Sequence, residues 1–228
     1  MKSNTGSRNK FTPVKTAKRR KKSSNNWLKR QINDPFVKQA HEQGYRARSA
    51  FKIVEIDNKF KILKKGKIVV DLGAAPGGWS QVVVDIVGHG KVFAVDILDM
   101  EPITGVEFLK QDFLASDATD KIIKMINKNN PDSKRKVDVV LSDMAQNTCG
   151  DHQTDHLRIV GLLEEALDFA ITILAKDGVF VGKIFQGGAQ GELLKKFREY
   201  FESVKHFKPD SSRKESSENY IVASGFKG

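Results

Sequence analysis

From residue 68 onward, short apolar runs alternate with amphipathic stretches. Ile68–Leu72, Val92–Val95, Val106–Leu109, Val137–Leu141 and Val179–Phe185 have the length and β-branched content of buried strands. Residues 78–87, 116–129, 156–175 and 190–202 between them carry helical spacing, and a last apolar run spans Tyr220–Ser224. Strands apolar on both faces, separated by helices, predict an α/β fold: a mostly parallel sheet with helices on both faces. Upstream, Asp34 is a good N-cap and Pro35 suits the first helical position, so folded structure is predicted to begin there. Gly44 suits the end of that helix, and a second helix is predicted over about Ser49–Lys59.

Charge alters this picture at one end only. Residues 1–30 hold eleven of the 39 Lys and Arg and none of the 28 Asp and Glu, so the remaining 28 bases balance the 28 acids. The whole net charge of +11 therefore belongs to the first thirty residues. Residues 1–26 are rich in Lys, Ser and Asn, and they predict a disordered basic tail suited to a polyanion. Residues 27–228 are the length of a single domain. The run Lys18-Arg19-Arg20-Lys21-Lys22 also has the composition of a nuclear signal, and the acid-free start that of a transit peptide with too little Arg. Cys149 is the one cysteine, which points to a reducing compartment, and no apolar run reaches the roughly 18 residues of a membrane helix. A cytoplasmic protein is expected.

The segment Val69-Val70-Asp71-Leu72-Gly73-Ala74-Ala75-Pro76-Gly77-Gly78-Trp79-Ser80 leads a strand through a loop of small residues into a helix. In open α/β sheets that is where ligands bind, and the glycines let a ligand approach the backbone. The loop lacks the Gly-Lys-Ser/Thr of a nucleoside-triphosphate cradle, and its glycine spacing departs from G-x-G-x-x-G. A nucleoside with a compact cationic substituent remains, and S-adenosylmethionine is the obvious candidate. Asp96, 23 residues past Gly73 at the end of the next strand, is placed for ribose hydroxyls, and Asp112, ending the third run, for an adenine amino group.

Five separated segments carry a resemblance. They are Gly44-Tyr45-Arg46-Ala47-Arg48-Ser49-Ala50-Phe51-Lys52, Asp71–Ser80, Leu141-Ser142-Asp143-Met144-Ala145, Gly182-Lys183-Ile184-Phe185-Gln186-Gly187, and Lys208-Pro209-Asp210-Ser211-Ser212-Arg213 with Glu218-Asn219-Tyr220. Together they resemble the RrmJ/FtsJ family of RNA ribose 2′-O-methyltransferases, over about residues 27–227. The resemblance implies a Rossmann-like class I methyltransferase fold and a catalytic tetrad on Lys52, Asp143, Lys183 and Glu218. It puts S-adenosylmethionine contacts on Gly77, Trp79, Asp96, Asp112 and Asp143. Bacterial members act on a uridine of the 23S rRNA A-loop in the large ribosomal subunit, so that partner and a monomeric enzyme are expected. A tRNA ribose methyltransferase and a non-catalytic RNA-binding or ribosome-assembly factor on the same fold are the alternatives. Gln146 stands where the family has proline, which loosens the expected geometry after Asp143.

Elimination points the same way. Carbon-5 methylation of pyrimidines wants a Pro-Cys nucleophile, and base-amine methylation wants Asn/Asp-Pro-Pro-aromatic where this chain has Ser142-Asp143-Met144-Ala145. Oxygen methylation remains. A ribose hydroxyl is a poor nucleophile, so it must be held in line and relieved of its proton. Lys183 is the candidate for that work, either as a base or as a cation stabilising the incipient alkoxide. Tyr45, Arg46 and Arg48 interleave aromatic and basic groups before Phe51 and Lys52, a pattern suited to RNA, and Arg213 is a further candidate. Cys149, His152 and His156 form C-x2-H-x3-H, but three ligands without an evident fourth make a weak case for zinc, and no metal is expected.

Overall fold

A computed structural model describes residues 12–13, 22–128, 136–145, 151–186 and 191–228. One sheet of seven strands runs through it: β1 (Val69–Leu72), β2 (Val92–Asp96), β3 (Val106–Lys110), β4 (Val137–Ser142), β5 (Leu174–Phe185), β6 (Phe201–Phe207) and β7 (Glu218–Phe226). Their order is β3-β2-β1-β4-β5-β7-β6. β1 to β5 are parallel, and β7 runs antiparallel between β5 and β6. The chain leaves β1 toward β2 on one side and later fills the other side from β4, so β1 and β4 flank the switch point where such sheets bind ligands.

Alternation along the strands decides what each face holds. Val70, Leu72, Val140 and Phe180 pack with Ile122 of α5 (Ala118–Ile126), Leu163 and Leu167 of α6 (His152–Ile173), and Phe197 of α7 (Gly191–Tyr200). The intervening Val69, Leu141, Val181 and Val222 pack with Ile53 and Ile56 of α3 (Ala50–Phe60) and Val83 of α4 (Gly78–Val87). β1, β2 and β4 are almost wholly buried, as their largely apolar sequences require, while β3 at the edge of the sheet is only partly buried.

Three differences from the sequence expectation stand out. A helix, α1 (Lys22–Asn33), precedes the predicted start and crosses the boundary drawn at residue 26. Asp34 does cap the next helix, α2 (Pro35–Glu42), accepting a hydrogen bond from the Phe36 N–H at 3.0 Å. β5 begins at Leu174, where helix was predicted, and its pairing with β4 is interrupted by a register shift between Val137 and Val139. β6 was not predicted at all: its Glu202, Lys205 and His206 are those of an exposed edge strand, where charge protects against further pairing.

Candidate active site

The face that packs α3 and α4 continues past the ends of the strands as a polar cluster. Two residues beyond Leu141 stands Asp143, two beyond Val181 stands Lys183, and Tyr220 lies opposite Lys183 in the β5–β7 register. Period two keeps each on the same side of the sheet as its apolar predecessor. From the helix above, α3 lowers Lys52 into this cluster, and the residue is only 7% exposed. The Lys183 Nζ donates to Asp143 Oδ1 at 2.7 Å and to the Asp143 carbonyl oxygen at 2.8 Å. Lys52 Nζ donates to Glu218 Oε2 at 2.8 Å and lies 4.0 Å from Asp143 Oδ2. All four residues named from the resemblance are thus brought together, from α3, β5, β7 and the end of β4.

Tyr220, which the sequence reading did not single out, completes the group. Its hydroxyl donates to Asp143 Oδ1 at 2.8 Å, and its ring packs against Trp79 and beneath the Lys52 ammonium. Burial alone would push the Asp143 carboxyl up, but Lys183, Lys52 and its hydrogen bonds outweigh that and hold it below the ordinary value. The Tyr220 hydroxyl is held well above its usual range by burial, reinforced by Asp143 and Glu218. An ammonium has three protons. Two of those on Lys183 turn back onto Asp143, and the third has no partner among the described residues.

Next to this cluster, across Met144, opens a cavity of about 570 Å³ whose walls include Gly73, Asp96, Asp112, Phe113, Met144 and Arg158. Asp96 accepts from the Ala75 and Leu98 N–H groups, both at 2.8 Å, and Asp112 from the Leu114 N–H at 3.0 Å. These bonds fix both carboxylates and leave lone pairs for a ligand. Leu98 and Leu114 are apolar yet exposed beside them, as a slot for a flat ring would be. Gly73 (φ +75°) and Gly77 (φ +104°) hold the loop; a Cβ on Gly77 would sit 2.7 Å from Ile103 Cδ1. A nucleoside with a cationic side arm fits this donor set. The Trp79 indole is turned away, 2% exposed, and donates to the Ser49 carbonyl at 2.8 Å, so only its backbone is available to such a ligand.

Beneath the loop, Asp71 is sealed in. Its Oδ2 accepts from Ser80 Oγ at 2.7 Å and its Oδ1 has no hydrogen-bond partner. Burial, with some push from the charges of Asp143 and Asp96, raises its pKa to about 7 against the pull of Ser80. A carboxyl whose folded pKa is raised stabilises the fold at low pH and loses that contribution as pH rises from about 4 through 7. Asp71→Asn should therefore be more stable than wild type at pH 8, by on the order of 3 kcal/mol, with the advantage vanishing near pH 4. Thermal melts of both proteins at the two pH values test this.

The residues predicted to face RNA divide. Arg46 donates to the carbonyls of Pro76 (3.3 Å), Glu101 (2.5 Å) and Pro102 (2.8 Å), fastening the glycine loop to the segment after β2. Arg48 pairs with Asp34 at 3.0 Å, donates to the Ser211 carbonyl and stacks on Phe36. Both are struts within the fold rather than open phosphate ligands. Tyr45 is half-buried, edge-on to Phe51. Arg213 reaches Asp34 at 3.4 Å and, with Lys29, Arg30 and Lys214, borders a groove of about 420 Å³. Cys149 and Gln146 lie outside the described residues, as does the side chain of His152. Among the described residues His156 has both ring nitrogens buried without hydrogen-bond partners, and no group of three metal-ligating side chains occurs.

Comparison with known proteins gives a consistent result. The model of the family described as FtsJ-like methyltransferase matches residues 45–226. A protein of Paramagnetospirillum magneticum named Ribosomal RNA large subunit methyltransferase E is 51% identical, covering 98% of this chain and 91% of that one. The protein of the same name from Rickettsia bellii is 50% identical, with 96% of each chain covered. Among solved structures, a ribosomal RNA methyltransferase of Plasmodium falciparum superposes with a TM-score of 0.71 at 29% identity, covering 81% of this chain and all of that one.

Proposed function

The chain belongs to the FtsJ-like methyltransferase family, and from that premise we propose that it methylates a ribose 2′-hydroxyl of large-subunit ribosomal RNA with S-adenosylmethionine as donor. The observation that carries this reading is the meeting of Lys52, Asp143, Lys183 and Glu218, through contacts of 2.7 to 4.0 Å, beside a cavity suited to a nucleoside. The names of the relatives support ribosomal RNA as substrate. Among its nucleotides we favour a uridine of the 23S A-loop.

In this reading Asp96 and Asp112 hold the ribose and adenine of the cofactor, with the backbone of Gly77 and Trp79 and the carboxylate of Asp143 along its remaining length. The bound donor supplies an electrophilic methyl group on a sulfonium. Everything else falls to the protein. Lys183 aims an N–H that has no partner among the described residues at the hydroxyl oxygen, orients its lone pair and stabilises the charge that grows there as the new C–O bond forms, the C–S bond breaks and the hydroxyl proton passes to solvent. Asp143 fixes Lys183 through two hydrogen bonds, and Glu218 holds Lys52 through one. Lys52 adds a second positive charge beside the developing alkoxide. RNA is guided by the basic groove at Arg213, by Tyr45, and by the lysines and arginines of residues 1–30. No described helix is long and apolar enough to cross a membrane; we place the enzyme in the cytoplasm as a monomer.

Titration calorimetry of the purified chain with S-adenosylmethionine and its demethylated product, followed by label transfer to isolated large subunits, free rRNA and tRNA, tests the proposal. Cofactor uptake and label at a single ribose 2′-oxygen of large-subunit rRNA are expected. No cofactor uptake, or label on a base or on tRNA, would overturn it.

A further inference from the structure

Ser212 lies outside the tetrad, yet it closes the hydrogen bonding there. It is 5% exposed, and its Oγ donates to Glu218 Oε1 at 2.8 Å. The other oxygen of the same carboxylate accepts from Lys52 at 2.8 Å. With one partner on each oxygen the plane of the carboxylate is fixed, and with it the place of the Lys52 ammonium, 4.0 Å from Asp143. Without the serine hydroxyl, Oε1 would turn to find another donor, and Oε2 would have to turn with it.

The position of Ser212 is itself prescribed. Glu55 on α3 accepts from the backbone N–H groups of Asp210 at 2.5 Å and Ser211 at 3.0 Å. Arg48 donates to the Ser211 carbonyl, and the Ser212 N–H closes a turn onto Pro209 at 2.9 Å. Glu55 and Lys52 are three residues apart on α3, so they share one face of the helix. The helix that supplies the lysine therefore also grips the loop that supplies its orienting hydroxyl.

We propose that Ser212 is a positioning residue for methyl transfer, acting through Glu218 to hold Lys52 at the reacting oxygen. This rests on the functional reading above. The full-length protein carrying Ser212→Ala or Ser212→Thr tests it by two independent measurements. In methyl transfer to large-subunit RNA, Ser212→Ala lowers kcat about 10- to 30-fold, the loss of one hydrogen bond to a charged group, and leaves KM for RNA and cofactor within about twofold. Ser212→Thr, which keeps the hydroxyl, restores kcat to within about threefold. The second readout is the side-chain ammonium resonance of Lys52 in 15N-labelled protein, identified by its loss in Lys52→Arg. Buried and paired, that group gives a sharp signal in wild type and in Ser212→Thr, and a broadened or absent one in Ser212→Ala. Wild-type kcat with an unchanged Lys52 signal in Ser212→Ala would overturn the proposal, as would a loss confined to KM or not rescued by threonine. Should wild type transfer no methyl group to RNA, the functional reading fails while the Lys52 signal still decides the role of Ser212.

Discussion

Replacing Lys183 by alanine is expected to lower the rate of methyl transfer by about a thousandfold or more, with cofactor affinity within about threefold of wild type. Lys183 is not among the residues lining the cavity proposed for the cofactor. The side chain removed makes two hydrogen bonds to Asp143 and, among the described residues, has a further N–H without a partner. Losing one such donor at a developing oxyanion costs about 100- to 1000-fold in enzymes where it has been removed, and here positioning of the hydroxyl is lost with it. Label-transfer kinetics and calorimetry on the same folded preparation separate the two quantities. Near-normal turnover would show that the proton and the charge are handled elsewhere.

The second large effect concerns stability as well as rate. Asp143→Ala removes the carboxylate to which Lys183, Lys52 and Tyr220 all turn, and the side chains of both lysines are no more than 10% exposed. Lys183 would then be left without its counter-charge in a dry site, next to a Lys52 ammonium that keeps Glu218 alone. Breaking a buried pair in this way costs about 3–5 kcal/mol, and chemical denaturation at pH 7 measures it. The sign of its pH dependence follows from the direction in which Asp143 is held. A carboxyl depressed in the folded state stabilises above its unfolded pKa of about 3.9 and loses that contribution as pH falls through the folded value. The gap between wild type and Asp143→Ala should accordingly be full at neutral pH and shrink below about pH 4. A gap that stayed constant into acid would mean that the carboxylate contributes shape rather than charge.

The parallel half of the sheet was legible because β1, β2 and β4 are almost wholly buried and write that burial as short, largely apolar runs, and β3 at the edge keeps enough of the same pattern to be read with them. Where burial is one-sided the signal fades. β6 alternates Phe201, Val204 and Phe207 with charged residues over too few positions to be told from the end of α7. The start of β5 follows Ile173 without a polar break, so a helical reading ran on into Leu174. α1 lies among the Lys, Ser and Asn that mark a tail and shows few apolar positions of its own. At the site, Asp96 and Asp112 could be found from their strand ends. Lys52 and Glu218 could not, since a lysine on a helix and a glutamate beside serines look like surface until tertiary structure brings them together over 166 residues. Separation in sequence also hid the contacts of Asp34 with Arg213 and of Tyr220 with Asp143, 179 and 77 residues apart. For Arg46 and Arg48, composition shows a positive charge but not the carbonyl oxygens to which the folded chain turns it.

β7 comes last in the chain but not last in the sheet. It must slide between β5 and β6, pairing along one edge from Phe185 to Val179 and along the other from Phe207 to Phe201. Such wedging joins segments far apart in sequence and belongs to the slow class of folding events. The wedge also carries Glu218 and Tyr220, whereas the cavity beside the cluster is lined by Gly73 just past β1, the end of β2, the stretches that follow β2, β3 and β4, and α6. A molecule still short of that final insertion would own a pocket and no reactive centre. The tetrad thus depends on a strand that the lining of the neighbouring cavity does not use.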